Sequence, residues 1–159
     1  MPLVVALFWL WLSLHVLAAL PRKLPLQVNL VLYLALSVIV INKFTILGFK
    51  LKLYTYNTSV PDFLAAVVNR DFTMTLILIA FANACIAAAT PRGRWLAIAF
   101  FLAFLIAACQ SLRWTGVVED RHWNAYYDAL LNMVMMTIAY GLARLFRHLW
   151  NKEALRHVE

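Results

Sequence analysis

Residues 72–89 read FTMTLILIAFANACIAAA, a stretch without one charged side chain. Because about 20 apolar residues cross the hydrocarbon core of a bilayer as a helix, this stretch predicts a transmembrane helix. The whole chain has the same character. Of its 159 residues, 65% are hydrophobic and 13% are charged, and the mean hydropathy is +0.80. A soluble domain with a polar exterior does not reach such values, so the sequence predicts an all-α integral membrane protein.

Four further apolar segments accompany residues 72–89. Together they predict a polytopic helical bundle of about five transmembrane helices, in a single domain that covers residues 1–159. The predicted spans are residues 3–20, 24–41, 72–89, 95–115 and 125–146. Alanines at every fourth position predict a small-residue seam between the third and fourth spans. They are Ala80, Ala84 and Ala88 in one span and Ala99, Ala103 and Ala107 in the other.

The connection between the second and third spans, residues 43–71, mixes apolar side chains with lysines and tyrosines. This composition is typical of the headgroup region, so the connection is predicted to be interfacial. Within it, Ser59 precedes Pro61 and Asp62. A serine cap followed by proline and an acidic residue in the first turn predicts a short helix over residues 62–69.

Basic residues orient the predicted bundle. The net charge is +7, but the cations flank apolar segments instead of forming the basic surface that nucleic acid requires. Five spans place Arg22, Lys23, Arg92, Arg94 and the basic tail at residues 147–159 on one side, which the positive-inside rule makes cytoplasmic. The sequence thus predicts a multi-pass protein of the cell membrane with its N-terminus outside and its C-terminus in the cytoplasm. The lipid bilayer is its predicted partner, and nucleic acid is not.

A band of polar residues interrupts the apolar chain, and the predicted topology places most of it at the outer ends of the last three spans. A polar group in hydrocarbon is costly without a partner, so such residues face one another, a water-filled cavity or a ligand. The candidate ligand-binding residues are Asp71, Asn83, Gln110, Arg113, Glu119, Asp120, His122, Asp128 and Asn132.

Two interpretations of this band remain open from the sequence. Arg113 could pair with Asp128 or Asp71 and lock neighbouring helices together. Alternatively, Asp71, Arg113, Asp128 and Asn132 form the floor of one outward-facing pocket, because Asp128 and Asn132 share a helical face. Hydropathy does not fix helix rotation, so it does not distinguish the two interpretations.

Motifs for catalysis or metal binding are missing from the sequence. It contains no HExxH, GxSxG or P-loop pattern. Cys85 and Cys109 are too far apart for a CxxC motif and are predicted to be buried thiols. His122 with Glu119 or Asp120 is the combination that general base chemistry would use. The sequence therefore predicts no catalytic residue and no metal site, and it names no cofactor.

Three functions are compatible with these observations. The leading hypothesis is a non-enzymatic membrane protein whose outward-facing polar cluster binds a small polar ligand or an ion, with transport as a related role. Because five helices barely enclose a polar path, transport would need a homo-oligomer or a membrane-protein partner. The alternatives are an accessory or assembly subunit that acts through helix contacts, and a membrane enzyme that acts on lipid headgroups.

Two segments resemble a known family. Residues 68–73, VNRDFT, precede an apolar helix, and residues 115–124, TGVVEDRHWN, lead to Asn132 in another. Over about the last 90 residues, the chain resembles uncharacterised membrane proteins of four to five helices from spore-forming bacteria. The resemblance implies a helical membrane bundle and no established activity. Members of that family tend to carry an acidic residue in the penultimate helix, where this chain has Gln110 and Arg113, so a shared site would be altered.

Overall fold

The structure is a computed structural model that describes residues 1–21, 23–57, 59–120 and 124–156. Helices account for most of these residues, which confirms the predicted all-α class. The helices are α1 (Pro2–Ala19), α2 (Leu26–Phe44), α3 (Val60–Val67), α4 (Met74–Ala87), α5 (Pro91–Trp114) and α6 (Ala125–Arg156). Two π-helical turns extend them: the first π-turn (Thr45–Lys50) follows α2, and the second π-turn (Val68–Thr73) joins α3 to α4.

Within the described residues, five helical stretches are long and apolar enough to cross a membrane. They are Pro2–Ala19, Leu26–Gly48, Val60–Ala87, Pro91–Trp114 and Ala125–Glu153. Large apolar side chains such as Leu34 and Leu96 are exposed on their outer faces. Such surfaces suit a bilayer, where lipid chains replace water as the solvent.

Helix α4 is the centre of the bundle and packs against α1, α2, α5 and α6. In the membrane-length stretch that contains α4, Val60–Ala87, 56% of the most apolar segment is buried, against 11% for α1 at the periphery. Leu36 of α2, Ile77 of α4 and Leu105 of α5 are fully buried in this core. The interior is therefore apolar along most of its length, and its polar exceptions stand out.

Capping residues set two helix starts. The Ser59 hydroxyl accepts a hydrogen bond from the Asp62 backbone N–H at 3.4 Å, which confirms the predicted cap of α3. The Thr90 hydroxyl accepts one from the Gly93 N–H at 3.2 Å. With proline directly after this cap, α5 begins at Pro91, four residues before the predicted span.

The predicted alanine seam is wrong for α5. Ala99 and Ala103 are exposed, whereas Leu105, Ala108 and Leu112 of the same helix are buried. The face of α5 that contains Leu105, Ala108 and Leu112 thus packs into the bundle, and Ala99 and Ala103 lie away from it. A spacing of four marks a helical face but does not say which face packs.

Two short strands, β1 (Tyr54–Tyr56) and β2 (Val118–Asp120), close one end of the bundle. They pair antiparallel, with Tyr54 opposite Asp120 and Tyr56 opposite Val118. Gly116 adopts a φ of 75° between α5 and β2, a conformation that glycine adopts without steric cost. We call the end of the bundle that carries β1 and β2 the strand end. The ladder joins the connection predicted as interfacial to the loop after α5, a contact that the sequence analysis missed.

The last helix is longer than a bilayer. Its 32 residues span roughly 48 Å, against a hydrocarbon core of about 30 Å. Residues 147–156 of the predicted basic tail continue this helix, and residues 157–159 lie outside the described residues. Because α6 starts at the strand end, its basic C-terminal turns lie at the opposite end of the bundle.

Candidate functional site

An interhelical ion pair lies at the strand end. Arg113, in the last turn of α5, pairs through Nη1 with Oδ2 of Asp128, in the first turn of α6. Their side chains are only 13% and 10% exposed. A cation near a helix C-terminus and an anion near a helix N-terminus are both favoured by the helix dipoles. The sequence offers Asp128 and Asp71 as partners for Arg113, and the structure places Asp128 beside it.

Asp71 is engaged with its own neighbour in the second π-turn. Arg70 Nη2 donates to Asp71 Oδ2 at 3.0 Å, and the two side chains are 24% and 23% exposed. The Tyr33 hydroxyl donates to the backbone carbonyl of Asp71 at 3.4 Å and so ties α2 to this turn. The Asp71 carboxylate therefore forms a separate, more exposed pair.

Lys43 is the site residue that the sequence analysis missed. It lies in the last turn of α2, where its Nζ donates to Oδ1 of Asn132 at 3.3 Å. Asn132 is fully buried in α6. Lys43 is also within electrostatic reach of Arg113 and Asp128. The signal in the sequence is a lysine within the apolar run INKFTIL, residues 41–47, whose composition also fits the predicted interfacial connection.

These side chains surround a small cavity of about 30 Å³. Helix α2, the second π-turn, α5, α6 and both strands all contribute to its wall. The lining residues are Lys43, Phe44, Tyr54, Asn69, Cys109, Leu112, Arg113, Val118 and Asp128. We define the polar cluster as Lys43, Asn69, Arg113, Asp128 and Asn132.

Asn69 has an unusual environment within the polar cluster. It is 1% exposed, and neither its Oδ1 nor its Nδ2 has a hydrogen-bond partner in the described part of the chain. Leaving such a group unsatisfied costs about 1–3 kcal/mol. Asn69 is also among the residues that line the cavity, and bound water commonly satisfies buried polar groups of this kind.

Both π-turns adjoin the polar cluster. The first begins at Thr45, two residues after Lys43, and the second contains Asn69. A π-turn inserts an extra residue into a helix and is frequent at functional sites. Here the two turns lie next to the cation of the polar cluster and its unpartnered amide.

Asn83 lies near the other end of α4, roughly 20 Å along the chain axis from Asn69. Its Nδ2 donates to Oδ1 of Asn29 at 2.9 Å and to the Ile79 carbonyl at 3.0 Å. Both asparagines line a groove of about 340 Å³ beside α1 whose other walls are apolar. Asn83 therefore links α2 to α4 and is not part of the polar cluster.

The other predicted site residues are dispersed. Gln110 is half-buried in α5, one turn before Arg113, and Glu119 is exposed in β2. The backbone of Asp120 takes part in the strand ladder opposite Tyr54. His122 lies outside the described residues, so the proposed general base has no structural description.

The fold and the polar cluster together define a class of protein: a multi-pass helical membrane protein with an ion pair, a lysine and an unsatisfied amide enclosed at one end. Comparison with protein-family models, with curated proteins and with solved structures finds no match for this chain. Its function is therefore inferred from the site itself.

Proposed function

We propose that this chain is a small, non-enzymatic protein of the cell membrane whose polar cluster binds a small polar ligand or an ion. The observation that carries the proposal is Asn69. A fully buried amide with both polar atoms unsatisfied is unfavourable in a folded chain, and this one lines a cavity beside Lys43. A bound polar group would satisfy it.

The ion pair and the binding site have separate roles in this proposal. Arg113 and Asp128 hold α5 and α6 together at the strand end. Lys43 and Asn69 come from α2 and the second π-turn and provide the groups that contact the ligand. The interhelical lock and the ligand site, which the sequence left as alternatives, are thus two parts of one polar cluster.

The distribution of charge supports access from the extracytoplasmic side. Arg147 and Lys152 lie in the C-terminal turns of α6, at the end of the bundle opposite the polar cluster. The positive-inside rule makes their side cytoplasmic, so the strand end faces outward. Passage of a ligand through the membrane would require a homo-oligomer or a partner, because the cavity is too small to serve as a path.

The first test is Asn69→Leu in the purified full chain. Leucine has the same number and branching of side-chain heavy atoms as asparagine, and loss of the unsatisfied amide offsets the cost of its larger volume. The fold is therefore expected to persist and its unfolding free energy to stay unchanged or rise by about 1–2 kcal/mol. Thermal unfolding is measured against a panel of sodium, potassium and magnesium salts and small polar solutes. At least one solute is expected to raise the wild-type melting temperature saturably, and Asn69→Leu is expected to lose that response.

Thr75→Val is the matched control. Thr75 is also fully buried with an unpartnered hydroxyl in the described part of the chain, but it lies in α4 outside the cavity lining. This variant should keep the solute response. If no solute stabilises the wild type and Asn69→Leu is the more stable protein, the polar cluster is purely structural and the proposed function is wrong.

A further inference from the structure

A groove on the outside of the bundle extends from its middle towards the end opposite the strand end. It has a volume of about 350 Å³ and lies between α5 and α6, with α4 as its floor. Phe81 and Met136 in its wall are buried, whereas Met133 is 46% exposed, so the groove opens to the outer surface. We call it the α5–α6 groove. Among the described residues, its lining and the polar cluster have none in common.

Arg94 lies where the groove reaches the edge of the membrane. It is in the first turn of α5, and Trp114 at the strand end follows twenty positions later. Because a helix rises about 1.5 Å per residue, the two residues are roughly 30 Å apart, which is the thickness of the hydrocarbon core. Trp95 and Trp114 are 71% and 78% exposed, and exposed tryptophans are enriched at both membrane interfaces. Arg94 therefore lies at headgroup level.

Two guanidinium groups adjoin this end of the groove. Arg94 lines it and is within electrostatic reach of Cys85 in the floor. In the described part of the chain, no acidic side chain lies within salt-bridge distance of Arg94. From α6, the Cζ of Arg144 lies 5.8 Å from the centroid of the Tyr140 ring, and Tyr140 lines the same groove. The fork of donors on a guanidinium matches the oxygens of a phosphate.

Deeper in the membrane the groove is apolar. Four apolar side chains provide most of its wall there: Phe81, Ile98, Met133 and Met136. The Thr137 hydroxyl donates to the Met133 backbone carbonyl at 2.9 Å and is satisfied within its own helix. From Met133 to Tyr140 the wall follows α6 for about 10 Å. The groove thus combines a cationic mouth at headgroup level with an apolar wall directly below it.

The charge around the mouth favours an anionic headgroup. Among the described residues, this end of the bundle carries one acid, Glu153, and six cations: Lys23, Arg92, Arg94, Arg144, Arg147 and Lys152. Basic clusters next to a membrane attract anionic lipids. A phospholipid places its phosphate at headgroup level and its acyl chains directly below, as the groove requires. We propose that the α5–α6 groove binds an anionic phospholipid, with its phosphate at Arg94 and Arg144 and one acyl chain along the apolar wall.

A second copy of this chain is a poorer occupant. One of its helices could cover the apolar wall, but Arg94 would also need an anion at its own depth. The described acid at this end, Glu153, lies roughly 13 Å beyond Arg144 along α6. A phospholipid supplies the anion and the apolar chain in one molecule.

The solution test uses the purified full chain in non-ionic detergent micelles with increasing fractions of phosphatidylglycerol or phosphatidylcholine. Phosphatidylglycerol is expected to raise the melting temperature saturably, by roughly 5–10 °C at 100 times the half-saturating fraction. Phosphatidylcholine should need at least about a tenfold higher fraction. Arg94→Gln is expected to raise half-saturation by phosphatidylglycerol at least about tenfold. Arg92→Gln, the matched control, removes an exposed arginine of the same turn outside the groove lining and should leave the response unchanged.

The direct test needs no variant. A phosphatidylglycerol with a photoreactive group in one acyl chain is expected to label the α5 and α6 peptides that contain Ile98 and Met133, and unlabelled phosphatidylglycerol should compete. Equal labelling of all helices, or equal losses in Arg94→Gln and Arg92→Gln, would show diffuse attraction to lipid and overturn the site. A full response to inorganic phosphate alone would overturn the lipid, and crosslinking of two chains through the groove would identify a second copy instead.

The lipid site and the polar cluster can fail separately. Asn69→Leu should keep the phosphatidylglycerol response, because Asn69 lies at the strand end and outside the groove lining. If phosphatidylglycerol gives no response while a small solute gives one that Asn69→Leu abolishes, the lipid site is wrong and the proposed function stands.

Discussion

Replacing Asp128 with Asn is expected to lower the free energy of unfolding by about 3–5 kcal/mol. The carboxylate is buried against Arg113, and Lys43 is within electrostatic reach. Asparagine keeps the shape but removes the negative charge that faces Arg113 and Lys43. The measurement is reversible unfolding of the purified protein in mixed detergent micelles. Glu119→Gln, which alters an exposed carboxylate in β2, should change stability by no more than about 0.5 kcal/mol.

Arg113→Gln provides an internal comparison for the same prediction. It removes the other half of the ion pair, but Asp128 keeps Lys43 as a nearby cation. The loss should therefore be smaller than for Asp128→Asn. Exchanging the two residues should restore stability only in part, because each charge would then oppose the dipole of its helix end. Equal losses for the two single variants would show that Lys43 does not interact with Asp128.

The sequence predicted the helices better than the polar contacts, and the reason is physical. Hydropathy reports which segments enter a bilayer, so five apolar segments predicted the five membrane-length helices. The cap at Ser59 was also predictable, because capping depends on residues only three positions apart. Both signals are local in the chain.

The contacts of the polar cluster depend on helix rotation, which no local pattern specifies. Asp71 pairs with Arg70, its neighbour in the second π-turn, and not with Arg113. Lys43 reaches Asn132 across 89 positions of sequence. The β1–β2 ladder has three residues a strand, too few for an alternating pattern to be recognised. These three features therefore required coordinates.

The two alanine series also show that spacing in the sequence does not specify helix rotation. Ala80 and Ala99 belong to series with the same spacing, yet Ala80 is fully buried in α4 and Ala99 is exposed on α5. Ala80→Leu inserts three carbon atoms into the packed centre of the bundle. We expect it to lower the unfolding free energy by about 1–3 kcal/mol.

Ala99→Leu makes the same chemical change on the outer face of α5. Lipid or detergent chains accommodate the larger side chain there, so its unfolding free energy should stay within about 0.5 kcal/mol of wild type. Both variants are compared by reversible unfolding in the same micelles. A loss at position 99 as large as at position 80 would mean that this face of α5 packs against protein, which would favour a second copy or another membrane protein as its partner.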